Sequence, residues 1–378
     1  MNTLGIGIIG YGGIGKVHIL GYKSISSYYN IDPYNIELLG VCTAHEDTGQ
    51  RAKRRHGFRY NCVDYRKLLD DKNIHIIDCT VPNYLHHSIV IDAIDAGKHV
   101  YCEKPLAMNV REAEDIVQKA SGSSVKCQIV FNYRFVPAII RAKQIIDQGK
   151  LGGILNFRAA YLHSGYVDIM RPMSWRLKKS QSGGGALFDL GSHCLDLIRY
   201  LMGDCKSVFA SMYTIIDSRP VHGGSDQREK VDVDDVAYLQ LILNNGIIGT
   251  VEASRLSTGS VDELTIEIQG DKGAVKFNLM DPNWLYFYNA EEENIAFGGE
   301  KGFKRIESLQ RYPESDLIAC SRTSVGWQRF HIESQYSFIK SIIHNQDPDP
   351  DFLEALEVQK IMEAAYISAE HKRWINLV

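Results

Sequence analysis

Three places in this sequence carry residues whose types and spacing suit chemistry. The first is Gly10-Tyr11-Gly12-Gly13-Ile14-Gly15, a G-x-G-x-x-G run that follows an apolar stretch at the N-terminus. In such a run the first glycine makes a tight turn, the second lets main chain approach a diphosphate, and the third lets a helix pack close to its strand. Amide N–H groups at the start of that helix, at Gly13 and Ile14, would face the diphosphate charge. The second place is Asp189 and His193, four apart and so on one face of a helix. On a helical wheel Leu187, Leu190, Cys194, Leu197 and Leu201 form the buried stripe, with Asp189, His193 and Asp196 at its margin, where a cleft lining is expected. Imidazole titrates near working pH, so His193 suits a general base or acid, and Asp189 would orient it or bind a substrate hydroxyl. A solvated ion pair is the structural alternative. The third place is Lys104, just after a short apolar run, where open α/β sheets hold ligands.

The elements that must position these residues change character along the chain. Leu4–Ile9, Ile36–Val41, His75–Cys79, His99–Cys102 and Val125–Phe131 read as short strands. Between them Ile14–Ser26, Thr48–Arg55, Tyr84–Ala96 and Val110–Ala120 read as helices, with Gly57 and Gly97 as stops. Such alternation specifies βαβ units and a parallel sheet covered on both faces. Beyond about Gly149 the pattern differs. Gly153–Tyr161 reads as extended and Gly184–Met202 as one helix, followed by strands at Val236–Leu243, Ile247–Ala253, Leu264–Gln269 and Ala274–Phe277. Turns such as Asn244-Asn245-Gly246 join the strands, so hairpins in series make an antiparallel sheet. Phe330–Ile343 and Phe352–Ser368 are helical by period, and the polar, Gly-rich Ser218–Lys230 reads as a mobile loop. The expected class is α/β: a Rossmann domain over 1–131, then a 132–378 domain for substrate binding and oligomerisation.

Composition narrows the partners. Of 378 residues, 42 are Lys or Arg and 46 Asp or Glu, a formal charge of -4 that leaves no basic excess for nucleic acid. The N-terminus carries no positive charge, and no apolar run is long enough for a bilayer, so no membrane association is expected and the chain reads as cytoplasmic. Eight cysteines, Cys320 among them, form no C-x-x-C pair, so buried thiols are expected and a metal site is not.

An acidic residue at the end of the second strand ordinarily holds the adenosine ribose 2′-hydroxyl. Here the strand ends Val41-Cys42-Thr43. Thr43, with His45 and Arg51 nearby, would accept a 2′-phosphate, whereas Glu46 and Asp47 argue against one. The cofactor is read as NAD or NADP, leaning toward NADP.

Glu103-Lys104-Pro105 follows Ala96-Gly97-Lys98-His99-Val100. Together with Val81-Pro82-Asn83 and Gly184-Gly185-Ala186-Leu187-Phe188-Asp189-Leu190-Gly191-Ser192-His193, it resembles the glucose-fructose oxidoreductase, inositol dehydrogenase and rhizopine catabolism (Gfo/Idh/MocA) family. The resemblance runs from Gly5 to the helix at Phe352–Ser368. Pro172-Met173-Ser174-Trp175-Arg176 is similar to members acting on inositols and anhydrosugars such as levoglucosan.

That resemblance implies a second domain with a large open sheet that joins dimers or tetramers. It implies NAD(P)-linked hydride transfer at a carbinol carbon of a sugar, inositol or anhydrosugar. Lys104 would be the catalytic lysine, donating to the reacting oxygen, with Asp189 and His193 completing the set across a crevice. Thr80, Pro82, Asn83, His86 and Glu103 would join the glycine turn and Thr43 around the cofactor, Asn83 also capping the helix at Tyr84. Tyr133, His163, Trp175 and Arg176 are candidates for the substrate's hydroxyls and C–H face. Two other outcomes remain open: a dinucleotide-sensing regulator without catalysis, and a glycosidase that uses NAD for transient oxidation.

Overall fold

In a computed structural model the described residues are 2–309, 312 and 323–377. The chain divides into two compact units. One runs to Asn132 and takes in Gly326–Gln359; the other begins at Tyr133 and includes Lys360 onward. Cys320 lies outside the described residues.

Among the described residues of the first unit, six strands form one parallel sheet. They are β1 (Asn2–Ile9), β2 (Tyr34–Cys42), β3 (Tyr60–Cys62), β4 (Ile74–Cys79), β5 (His99–Cys102) and β6 (Cys127–Ile129), in the spatial order β3-β2-β1-β4-β5-β6. The order reverses beside β1, so the ends of β1 and β4 flank the point where such sheets hold ligands. The short apolar runs are buried because helices cover both faces. Ile6, Ile8, Val41 and Ile76 pack with Ile19 and Ile25 of the helix Gly13–Tyr28 and with Phe338 and Ile339 of the helix Trp327–Ile343. This late helix therefore completes the core of the nucleotide-binding half.

The second unit holds a mixed, mostly antiparallel sheet of nine strands among its described residues. In chain order they are β7 (Ile154–Leu162), β8 (Cys205–Tyr213), β11 (Val236–Leu243), β12 (Ile248–Ser254), β13 (Glu263–Gly270), β14 (Gly273–Asn278), β15 (Trp284–Asn289), β16 (Lys304–Glu307) and β17 (Ile375–Asn376), while β9 (Ser218–Pro220) and β10 (Arg228–Lys230) pair apart from it. The spatial order is β16-β15-β14-β13-β7-β12-β11-β8-β17, and β7 with β12 is its parallel pair. Alternating burial along β11 and β13 leaves one side chain in two on the open face.

Three expectations need correction. Ser218–Lys230 is not a structureless loop: β9 and β10 make an antiparallel ribbon. Its anchor is Arg219, fully buried, whose guanidinium donates to the carbonyls of Asp168 and Tyr166 at 2.7 and 2.6 Å. Gly184–Met202 is not one α-helix. A π turn, Leu187–Gly191, precedes the α-helix Ser192–Met202. Asn83 does not stand outside its helix as a cap but is the first residue of a 3-10 turn, Asn83–Leu85, ahead of the helix His86–Asp95. No helix among the described residues is long and apolar enough to cross a membrane.

Candidate active site

The glycine turn leaves β1 with Gly10 at φ 105°, a conformation that side chains rarely adopt. A Cβ at Gly10 would also lie 2.6 Å from the main-chain oxygen of Thr80, and one at Gly15 would lie 2.7 Å from the Gly10 oxygen. Thr80 buttresses the turn, its hydroxyl within 3.1 Å of the carbonyls of Ile9 and Gly10. Gly12 and Gly13 face open space, with no heavy atom within 4 Å of a built Cβ. The turn thus closes on its protein side and stays clear where the helix Gly13–Tyr28 presents its first N–H groups. No acidic residue occupies that first turn. A dinucleotide diphosphate fits this arrangement.

At the end of β2 the Thr43 hydroxyl donates to the His45 carbonyl at 2.8 Å. Glu46 and Asp47 form the first turn of the next helix, Glu46–His56. Arg51 is exposed and donates to Thr48.

Glu103 and Lys104 follow β5 directly. The Glu103 carboxylate accepts from the Lys104 main-chain N–H at 3.2 Å, and the peptide between Lys104 and Pro105 is cis. His86 is fully buried, with Nδ1 2.8 Å from the Pro105 carbonyl and Nε2 3.0 Å from the Val81 carbonyl. The ring therefore ties the strand-end segment at Val81-Pro82 to the one carrying Lys104. Cys79 and Cys102 place sulfur atoms within 4.8 Å of the same ring, but carbonyls already occupy both its nitrogens.

In the second unit, the segment before His193 is built by close approach. Asp234 accepts from the N–H groups of Gly185 and Leu187, both at 2.8 Å, and from the Tyr366 hydroxyl. A Cβ at Gly185 would sit 1.9 Å from the Asp234 carbonyl oxygen, which explains the glycine. On the π turn that follows, Asp189 accepts from Arg255 Nη2 at 3.0 Å, and Arg255 Nη1 donates to the Arg176 carbonyl at 3.3 Å. Arg176 lays its guanidinium 4.3 Å from the centre of the Trp175 ring.

His193 packs beside Tyr133, ring centres 4.6 Å apart, and beside Tyr161 at 5.9 Å. The hydroxyls of Tyr133 and Tyr161 are 2.8 Å apart, Tyr161 donates to Asp262 at 2.5 Å, and His163 Nε2 lies 3.2 Å from that carboxylate. Burial, with Tyr133 and Asp262 alongside, pushes the Tyr161 phenol well above its ordinary range, so it stays a donor. Asp196, by contrast, is buried in a pair with Arg134 at 2.6 Å and belongs to the packing.

Within its unit the fold thus gathers Tyr133, His163 and His193, and links Asp189 to the Trp175–Arg176 turn. Sequence reasoning missed Arg255, Asp234, Asp262 and Tyr161. The local signal was a charged residue, Arg255, directly after the end of β12.

A parallel sheet with a glycine turn shaped for a diphosphate is the frame of a dinucleotide-binding oxidoreductase. The chain belongs to the Gfo/Idh/MocA family: residues 4–131 match the oxidoreductase family, NAD-binding Rossmann fold, and residues 139–276 match the GFO/IDH/MocA C-terminal domain. It is 32% identical to levoglucosan dehydrogenase of Pseudarthrobacter phenanthrenivorans, covering all of this chain and 99% of that one. It is 25% identical to myo-inositol 2-dehydrogenase of Thermotoga maritima, with 98% of each chain covered. A solved levoglucosan dehydrogenase in complex with NADH and L-sorbose superposes with a TM-score of 0.95 at 32% identity over 100% of both chains.

Proposed function

We propose that this protein is an NAD(H)-dependent dehydrogenase that oxidises a carbinol carbon of a sugar, cyclic polyol or anhydrosugar, or runs the reverse reduction. The observation that carries this reading is the second-unit cluster. His193 sits against two buried tyrosines whose hydroxyls form a polar chain with the Asp262 carboxylate and His163. Such a lining suits a neutral polyhydroxylated ring and offers little to an apolar or phosphorylated one. The dehydrogenase names of the relatives, on levoglucosan and myo-inositol, support the same class.

When bound, the nicotinamide would supply the hydride acceptor. In this reading Lys104 donates from its ammonium to the reacting oxygen and holds the alkoxide charge that develops there. His193 takes the hydroxyl proton at an imidazole nitrogen. Asp189, held by Arg255, orients His193 or a neighbouring hydroxyl. Tyr133 and His163 bind further hydroxyls, and the Trp175 ring covers a C–H face. Around the cofactor, Gly10, Gly12, Gly13, Ile14 and Gly15 cradle the diphosphate, with Thr43, Thr80, Pro82, Asn83, His86 and Glu103 forming the walls.

We favour NAD over NADP, a change from the leaning given by Thr43 with His45 and Arg51 nearby. A 2′-phosphate needs donors, and the Thr43 hydroxyl is already spent on the His45 carbonyl. Glu46 and Asp47 next to it would repel the phosphate. Two copies would pair through the open sheet face, where Arg158, Tyr238, Glu252 and Glu267 surround a depression of about 520 Å³. Sedimentation should then report a dimer or tetramer.

The test is a screen of inositols, aldoses and anhydrosugars with each cofactor, following absorbance of the reduced nicotinamide. Turnover of at least one such ring, with NAD preferred, is expected. Failure of all of them, with retained dinucleotide binding, would point to the sensing regulator instead.

A further inference from the structure

One cluster of charge lies beneath the end of β5, and two of its members, His18 and Asp78, have no part in the roles given above. His18, on the helix Gly13–Tyr28, is completely buried. Its Nδ1 lies 3.0 Å from both carboxylate oxygens of Asp78, and its Nε2 lies 3.1 Å from Glu103 Oε1. Asp78 is in β4, Glu103 follows β5, and these strands are hydrogen-bonded neighbours. The second Glu103 oxygen accepts from the Lys104 main-chain N–H. A continuous series of contacts therefore runs from Asp78 through His18 and Glu103 to the backbone of Lys104.

The surroundings are those of a fixed charge. Tyr101 and His331 place their rings 5.3 and 5.6 Å from the His18 ring, Gln335 donates to the His18 carbonyl at 3.0 Å, and Asn132 holds His331 at 3.2 Å. Tyr22, one helical turn on, faces Asp78 from the same helix. Burial works to neutralise His18, but the two carboxylates outweigh it and lift its pKa to about 10. Burial with the His18 cation adjacent pushes His331 down to about 3, so that ring is neutral. The Glu103 carboxyl is held below its ordinary range: burial opposes this, and the His18 cation prevails, with Lys104 adding to it. The cluster is thus one cation between two anions, with the Lys104 ammonium as the remaining positive group.

A buried ion pair is poor value for stability alone, because desolvation consumes most of the attraction. What it does confer is a single geometry, since each group has one place where its charge is compensated. Here that geometry ends at Lys104, and it starts on the helix whose N-terminus faces the glycine turn.

We propose that His18 is a positioning residue for Lys104: held by Asp78, it fixes the Glu103 carboxylate, and Glu103 fixes the main chain from which the Lys104 side chain extends. This rests on Lys104 acting on the substrate. Misplacing a reacting group by an ångström costs about 10²-fold in rate without weakening binding in proportion. The cation therefore matters to kcat more than to KM.

Three variants test it. Asp78→Asn keeps an acceptor for His18 but removes one of its two anions. Glu103→Gln keeps one acceptor oxygen for two donors. His18→Gln removes the cation and, if it fails to fold, leaves the other two to decide. In Asp78→Asn and Glu103→Gln, kcat should fall about tenfold or more, and in Asp78→Asn, KM and the NADH dissociation constant should stay within about twofold. In Asp78→Asn, His18 loses its proton at lower pH, so kcat should gain a new alkaline fall that is absent from the native enzyme. A purely structural cluster would instead lower the melting temperature and leave kcat and its pH profile unchanged; that result overturns the proposal. Should the native protein turn over no sugar, the functional reading fails by itself. The positioning claim is then read from the NMR signal of ¹³C-methylated Lys104, assigned with Lys104→Arg. That signal should shift and titrate differently in Asp78→Asn, and an identical titration in both proteins overturns the claim.

Discussion

Arg255 holds Asp189: the guanidinium nitrogen and the carboxylate oxygen are 3.0 Å apart, and the arginine side chain is almost wholly buried while about a quarter of the Asp189 side chain meets solvent (27%). The pair joins the end of β12 to the π turn, and the same guanidinium reaches the Arg176 carbonyl and lies 4.9 Å from the Tyr166 ring centre. Replacing Arg255 by Met should cost about 2 kcal/mol, less than a fully buried pair because water can reach Asp189. Urea unfolding measures that cost. Turnover should fall more than substrate binding, since the carboxylate loses its fixed direction.

Lys104→Ala should lower kcat by about 10²–10³-fold while the fluorescence titration of reduced cofactor stays near the native curve. Near-normal turnover in this variant would remove Lys104 from the mechanism.

The two glycines of the turn should separate folding from binding. Gly10→Ala meets both a positive φ and the Thr80 main chain at 2.6 Å, and should destabilise by about 1–3 kcal/mol. Gly12→Ala enters open space and should leave the melting temperature unchanged while weakening dinucleotide binding about tenfold or more. Equal effects of the two changes on melting would contradict this division.

Stability should have a maximum near pH 6.5, with a separate cause on each side. His18 binds its proton more tightly folded than unfolded, its pKa rising from 6.5 to about 10, so its contribution is complete below pH 6.5 and lost as pH climbs to about 10. His331 and His99 are pushed the other way by burial, to about 3 and about 4, with neighbouring cations adding to it. The unfolded chain binds those protons first, so their contribution is lost as pH falls below 6.5. Urea midpoints across this span measure both limbs, and His18→Gln should flatten the alkaline one and, by removing the cation beside His331, weaken the acid one.

The nucleotide-binding half was legible because its signals are local. Runs such as Ile6–Ile9 and Ile76–Cys79 state their burial in sequence, and the glycines declare the turn between them. What stayed hidden depends on distant partners. Ser218–Lys230 looks disordered until Arg219 finds the carbonyls of Tyr166 and Asp168. Asp189 and His193 were read on one face of a uniform helix, whereas Asp234, far along the chain, anchors the entry into a π turn. Tyr60–Cys62 and Lys304–Glu307 are too short and polar to announce themselves as strands. The hydrogen bond from Thr43 to His45, which bears on the proposed preference for NAD, is one that no residue type reveals.

The π turn at Leu187–Gly191 holds one residue more than an α-helix accommodates over the same rise. Wound as an ordinary α-helix with no such bulge, the same residues would swing everything downstream by about 100° around the axis. His193 would then point away from Tyr133 and Tyr161 although its own codon were untouched. The stretch behaves as a phase setting: its winding, and not only the residues it carries, decides which way His193 faces.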